Sequence, residues 1–402
     1  MIASAWTSLF ITTAVQSMVA MALLTLPAMA PAAAQALGVS PALVGVYVAL
    51  CYLAAMLASL ASGALVRRLG AIRVSQYGLL ACAAGLLLCA LPWLPAVALG
   101  ALVIGAGYGP ITPASSHLLA RTTPAHRMAL VFSIKQTGVP AGGMLAGALV
   151  PGLALLLGWQ GALVVVAAAC AACVPLAQPL RRELDADRET GAAPLALATL
   201  LAPLRMVLAH APLRVLAACS FLFSAVQVSV TAYMVTYLNL DLGLGLLAAG
   251  AALSVSQLAG VVGRIAWGAV ADQGLGSRAT LMLLALLMIA GCLLTAMAQA
   301  GWPTPLLWAV VALLGASAIG WNGVYLATVA RQAPAGQAGQ ATGGTLLFTF
   351  MGVVCGSPAF GWIASASGSY RVSFAALALP AALALALLTW RALQARREIA
   401  PK

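Results

Sequence analysis

The chain has 402 residues, of which 63% are hydrophobic and 6% charged, with a formal net charge of +12. A soluble domain carries about 25% charged residues, so too few polar groups are present to clothe a water-facing surface, and a bilayer is needed to absorb this much apolar area. A basic balance also fits nucleic-acid binding, but the basic residues lie between apolar runs and form no patch interleaved with aromatics; they read as the rim of a membrane protein, and nucleic acid is excluded as a partner.

A helix needs about 20 apolar residues to cross the hydrocarbon core. In chain order, twelve such stretches fall at roughly 9–30, 43–65, 74–94, 96–119, 128–150, 157–179, 212–237, 246–270, 279–299, 304–329, 341–364 and 371–391. In the first, Ala28-Met29-Ala30 mimics a signal-peptide cleavage site. No Lys or Arg precedes Arg67, however, and Pro31 follows directly, so the stretch is kept as a membrane helix. Breaks at Pro27, Pro110, Pro113 and Pro140 are tolerable where neighbouring helices supply partners for the freed backbone groups. The eight cysteines lie in or beside apolar stretches, and Cys170–Cys173 has no second pair at zinc spacing. They read as small apolar side chains, so neither a metal nor a cofactor is expected.

After the sixth stretch comes the longest polar run, RRELDADRETG at 181–191, with four of the seven acidic residues. It divides the chain into an N-terminal six-helix bundle (1–180), a central cytoplasmic loop (181–208) and a C-terminal six-helix bundle with a short tail (209–402). With the N-terminus inside, Arg67, Arg68, Arg73, Arg121, Arg127, the arginines around the central loop, Arg264, Arg278, Arg331 and the basic tail all fall on one side, and only Arg371 lies near an outer loop. That is the bias expected of cytoplasmic loops.

The halves repeat. Gly38, Gly45, Gly63 and Arg73 recur 205 residues on as Gly243, Gly250, Gly268 and Arg278. Gly105, Arg121 and Pro124 recur at 210 as Gly315, Arg331 and Pro334, and Gly138, Gly142 and Gly147 at 214 as Gly352, Gly356 and Gly361. Helices 2, 4 and 5 are thereby matched to 8, 10 and 11 in the same direction across the membrane, a parallel repeat.

The loop after helix 2 reads Gly63-Ala-Leu-Val-Arg67-Arg68-Leu-Gly70-Ala-Ile-Arg73, and the loop after helix 8 reads Gly268-Ala-Val-Ala-Asp272-Gln273-Gly-Leu-Gly276-Ser-Arg278. Both resemble the G-x-x-x-D-R-x-G-R-x-R/K signature of the major facilitator superfamily. The first departs by carrying Arg67 in place of the acid, and the second keeps Asp272 and loses the following Arg. Helix 5, Ser133-Ile-Lys135-Gln136-Thr-Gly138-Val-Pro140-Ala-Gly142-Gly143, is similar to the Gly-Pro motif of antiporters and to a Lys-Gln version in bacterial organic-anion and cyanate-type carriers; Gly263-Arg264-Ile-Ala-Trp267-Gly268 fits the same group. The resemblance implies an all-α membrane protein of twelve transmembrane helices in two pseudo-symmetric bundles. It also implies a monomeric secondary transporter working by alternating access in a bacterial-type inner membrane. The loop residues Gly63, Arg67, Arg68, Gly70, Arg73, Gly268, Asp272 and Arg278, with Gly138, Pro140 and Gly142 of helix 5, would serve its conformational change.

Lys135 is one of only two lysines, and lies about 12 Å along the helix from Arg127. A charge at that depth is costly and by default marks a functional site, here an anion anchor, against the alternative of snorkelling to the headgroups. By the same resemblance Arg264, in helix 8, would approach the anion from the other half; alternatively it braces a helix end. Gln136, Gln16, Gln227, Asn322 and Tyr325 are candidate solute contacts that equally serve as interhelical glue. Outside the central run only Asp241, Asp272 and Glu398 are acidic, and none falls mid-membrane, which disfavours a carrier of cations. Proton coupling would fall to His117, Asp241 or the solute's own carboxylate. No phosphate-binding loop or other catalytic constellation is present, so no enzyme is expected. The expected partners are a small organic anion, protons and the lipid bilayer; a drug or metabolite efflux antiporter is the alternative.

Overall fold

A computed structural model of the chain describes residues 5–124, 128–186, 197–334 and 337–399. Arg127, Asp187, Arg188, Glu189 and Lys402 lie outside the described residues. Among the described residues, ten apolar segments are long enough to cross a membrane. Eight are single: α1 (Trp6–Ala28), α2 (Pro41–Leu69), α3 (Ala71–Cys89), α4 (Leu94–Thr122), α7 (Ala211–Leu240), α10 (Thr304–Gln332), α11 (Gly339–Ser367) and α12 (Tyr370–Gln394).

The other two, Val131–Pro179 and Leu246–Met297, have 49 and 52 residues. As straight rods they would reach about 75 Å, more than twice a hydrocarbon core of roughly 30 Å. Each breaks at a left-handed glycine, Gly158 (φ 74°) in the first and Gly276 (φ 74°) in the second. The packing shows the chain doubling back. Gly142 and Cys170 both lie against residues 17–18 of α1, and Gly263 and Gly291 both lie against residues 314–316 of α10. The long segments therefore divide into α5 (131–157) with α6 (159–179), and α8 (Leu246–Val270) with α9 (Gly276–Met297). Ten segments, two of them double, make twelve crossings. Helix α5 runs on through Pro151 to Gly158, past the end at 150 that the apolar run suggests, because a helix among other helices tolerates an internal proline.

The chain separates into two compact units, one of residues 1–200 with 245–254, the other of residues 201–244 with 255–402. In the first, α1 packs on the α5–α6 hairpin, α2 on α4, and α3 on α4 and α6; in the second, α7 packs on α11, and α9 on α10 and α12. The repeat read from the sequence is thus a repeat of contacts. A side chain on Gly105 would collide with the Cys51 carbonyl, and one on Gly315 with the Ser256 carbonyl, 205 residues from Cys51. Gly138 and Gly142 sit on Thr13, Gln16 and Ser17, while Gly352 and Gly356 sit on Phe221, Ser224 and Ala225, each partner 208 residues on. The six described residues with positive φ are all glycines and form three pairs, Gly38 with Gly243, Gly70 with Gly276 and Gly158 with Gly368. The kinks match as well: α4 is interrupted at Gly109–Pro110, and α10 at Ile319–Trp321, about 210 residues on.

Close approach at these glycines holds each bundle together, since apolar side chains gain little by leaving lipid for protein. Gly105→Val and Gly315→Val should each cost about 1–3 kcal/mol through forced separation of α2 from α4 or α8 from α10, lowering the melting temperature in detergent by several degrees. Gly339→Ala, which meets open space, should leave the melting temperature unchanged or higher.

Candidate functional site

In the first unit the polar residues collect where α5 crosses α1. Pro140 cannot donate to the Gln136 carbonyl, and the helix is irregular at Thr137, whose hydroxyl donates to the Ile134 carbonyl (2.6 Å). Lys135 stands just before this irregularity and is 1% exposed, so its side chain is enclosed by protein and does not lie on the outer surface. Its helix face is defined by its neighbours three, four and seven residues away. Val131 packs with Leu9 and Leu119. A Cβ on Gly138 would lie 3.0 Å from that of Gln16, and Gly142 meets Ser17 and Ala20. Lys135 is thus bracketed on α1 by an apolar cluster on one side and Gln16 on the other. Gln16 is fully buried; its Oε1 accepts from the Thr112 hydroxyl (3.1 Å), while its Nε2 and the Thr13 hydroxyl have no partner among the described residues. Gln136 and His117 are half-buried, His117 on α4 beyond its kink.

The second unit carries the matching arrangement on α7 and α10. The residue 210 after Thr112 is Asn322, and it too donates to an amide oxygen on the first helix of its unit, Gln227 Oε1 (3.1 Å). Trp321 Nε1 donates to the same oxygen (2.8 Å). The Trp321 ring is fully buried, edge-on to Phe223 at 5.4 Å and to Tyr325 at 5.1 Å. Tyr325 is itself fully buried against the Trp321 ring. Arg264 has a backbone partner: its Nε donates to the Ile319 carbonyl (3.1 Å), and one turn on Trp267 Nε1 donates to the Ala316 carbonyl (2.9 Å). Both carbonyls belong to the interrupted stretch of α10, so α8 caps a break that hydrocarbon would leave unsatisfied.

Among the acids with described side chains, all sit at span ends. Asp241 Oδ2 accepts from the Tyr370 backbone N–H (3.1 Å) at the start of α12. Asp272 pairs with Arg331 (3.5 Å), which also donates to Ser277. At the corresponding place in the first unit, Arg67 stands where Asp272 would be, and the carboxylate comes from further along the chain. Asp185 is 4% exposed and accepts from the Ile72 (2.8 Å) and Arg73 (3.0 Å) backbone N–H groups at the start of α3. Arg121, the counterpart of Arg331, donates to the adjoining Leu184 carbonyl (3.2 Å). Gly70 leaves room for the Asp185 carboxylate, since a Cβ there would collide with it. Arg73 lies over the Tyr77 ring at 5.5 Å. Gly63 and Gly268 meet almost open space, Arg68 is exposed, and Arg278 is half-buried. No group of three His, Cys, Asp or Glu side chains is placed to hold a metal among the described residues.

Twelve membrane crossings in two repeated halves, with polar side chains gathered inside each bundle, define a multi-pass α-helical carrier. The chain belongs to the Major Facilitator Superfamily, whose model matches residues 5–349, and it is a transporter rather than an enzyme. Solved structures agree on the fold. A mutant form of the nucleoside transporter NupG is 16% identical with a TM-score of 0.74, over 95% of this chain and 99% of that one. A bacterial homologue of the human lysosomal transporter Spinster, in an inward-facing and occupied conformation, is 13% identical with a TM-score of 0.73, over 95% of each chain. The peptide transporter POT in complex with sulfate is 16% identical with a TM-score of 0.73, over 98% of this chain and 94% of that one. No curated protein matches in sequence.

Trp321, Thr112 and the role of Asp185 were not singled out by sequence, and Trp267 entered only as part of the helix 8 motif. The repeat offset of 210 points to Thr112 through Asn322; Trp321 answers to Ile111 and has no such signal, and Asp185 is hidden in an acidic run.

Two outcomes follow from these contacts. Arg264→Gln removes a cap from α10 and should destabilise the solute-free protein by about 1–3 kcal/mol; unchanged stability together with lost uptake would move Arg264 from scaffold to solute. Asp185→Asn should destabilise by a similar amount through loss of a charge-assisted helix cap, seen as faster hydrogen exchange at the Ile72 and Arg73 amides.

Proposed function

We propose that the chain is a secondary transporter that carries a small organic anion, a mono- or dicarboxylate, inward with protons by alternating access. In this reading it acts as a monomer in a bacterial-type inner membrane with both termini cytoplasmic. Lys135 is the observation that carries the reading. Its side chain is enclosed by protein, and it is a cation in a stretch of chain that contains no Asp or Glu before Glu183, so the interior of α1–α6 carries positive and not negative side-chain charge. A buried cation draws an anion that comes within reach, because the low-dielectric surroundings screen the attraction poorly. The fold itself does not require a cation there: the counterpart 214 residues on is Thr349, which serves only its own bundle.

Gln16 of α1, packed against Gly138 about one turn on from Lys135, adds amide hydrogens that lack an acceptor among the described residues. A carboxylate offers one oxygen to the ammonium and one to the amide. The enclosure of Lys135 means that a solute reaches it only when the surrounding helices part, which is the step alternating access provides. Arg264 is more firmly placed as a cap of α10 than as a solute contact. With Asp241 bound to the start of α12, proton coupling falls first to His117 or to the solute's own carboxyl group. Efflux by antiport is favoured by the Gly138-Val-Pro140 irregularity in α5, but the absence of an acid within the spans weighs against cationic drugs.

In proteoliposomes, Lys135→Gln should abolish saturable uptake of labelled mono- and dicarboxylates at low concentration, with Lys135→Arg keeping a part of it. Near-normal uptake by Lys135→Gln would overturn the anchor. Saturable efflux of an ethidium-type dye with no carboxylate counterflow would establish the antiporter instead.

A further inference from the structure

The two amides differ in how firmly they are oriented. Gln16 is held by the Thr112 hydroxyl, which can donate or accept, so this contact leaves the amide free to turn end for end. Gln227 is held by the Trp321 indole, which can only donate. The oxygen of Gln227 must therefore face Trp321, and Asn322 supplies a second donor to it. Trp321 in turn cannot shift, being fully buried and fixed by edge contacts with Phe223 and Tyr325. The nitrogen of Gln227 is thereby turned away from the cluster, on a half-buried side chain, and makes no hydrogen bond among the described residues. The counterpart of Trp321 in the first unit is Ile111 and that of Gln227, 208 residues back, is Val19. The first unit builds its bundle without either.

We infer that Gln227 is a specificity-determining donor, reading an acceptor oxygen of the solute, and that Trp321 is the positioning residue that fixes its sense. The oxygen of Asn322 stays beside it as an acceptor, so a carboxylate bearing a neighbouring hydroxyl fits this edge better than an amine does. The inference rests on the anion reading for its solute and on the second unit alone for its geometry.

The test uses the full chain in detergent at pH 8, with acetate, lactate, succinate and malate as probes, alongside Gln227→Glu and Gln227→Leu. Glutamate keeps an acceptor for Trp321 and Asn322 but withdraws the donor. Gln227→Glu should therefore melt at or above the temperature of the unmodified protein, and Gln227→Leu below it. The probe concentration giving a half-maximal thermal shift should rise about tenfold or more in Gln227→Glu. Trp321→Phe should narrow the preference for lactate and malate over their neutral amides. If Gln227→Leu is as stable as Gln227→Glu, the oriented amide is overturned. If Gln227→Glu binds the probes as well as the unmodified protein does, the donor role is overturned. Should no probe shift the unmodified protein, the anion reading falls and takes the solute half of this inference with it, while the orientation is still decided by the Glu and Leu pair.

Discussion

Inside a bilayer no water is present to accept a hydrogen bond, so every interruption of a helix must be closed by another part of the protein. This constraint organises the second unit. Helix α10 gives up its regular ladder at Ile319–Trp321, and Arg264 and Trp267 of α8 take the Ile319 carbonyl within the interruption and the Ala316 carbonyl in the turn before it. The interruption also brings Trp321 and Asn322 to bear on Gln227. A scaffold requirement and a cluster of oriented polar side chains thus arise from one break. The break at Gly109–Pro110 does the same in the first unit, where it is followed by Thr112 and its contact with Gln16.

Charge obeys a similar economy. The described carboxylates stand at span ends, where helix N-termini or arginines receive them: Asp185 at α3, Asp241 at α12 and Asp272 on Arg331. A carboxylate accepting backbone N–H groups at a helix start gains from both the hydrogen bonds and the local dipole. Among the described side chains, the consequence is that cations, and no acids, stand within the spans. The first unit keeps the brace at its arginine-bearing end although its own loop has lost the acid, because the segment after α6 returns one.

Much of this was legible in the sequence, and the rest was not for specific reasons. The crossings follow from apolar length alone, and the repeat from glycines and arginines at fixed offsets, because close backbone approach tolerates no substitute. The kink in α4 is announced by Pro110. Its counterpart in α10 has no proline, since Ile319, Gly320 and Trp321 break the ladder only together with their partners on α8. Arg264 was open between solute and scaffold because its acceptor, a carbonyl 55 residues away, carries no sequence signal. The enclosure of Lys135 depends on how α1 and α5 face each other, which the spacing of Gly138 and Gly142 hints at but does not specify.

The three pairs of left-handed glycines bear on ancestry. Between the halves, helix faces have drifted so far that a lysine is answered by a threonine and a tryptophan by an isoleucine, yet each reversal of φ persists at its old position. After a gene doubles, side chains can be renegotiated one at a time against forgiving neighbours. A backbone that turns left has only one residue that lets it do so without strain. These six positions therefore preserve the outline of the single six-helix ancestor more faithfully than any stretch of conserved chemistry.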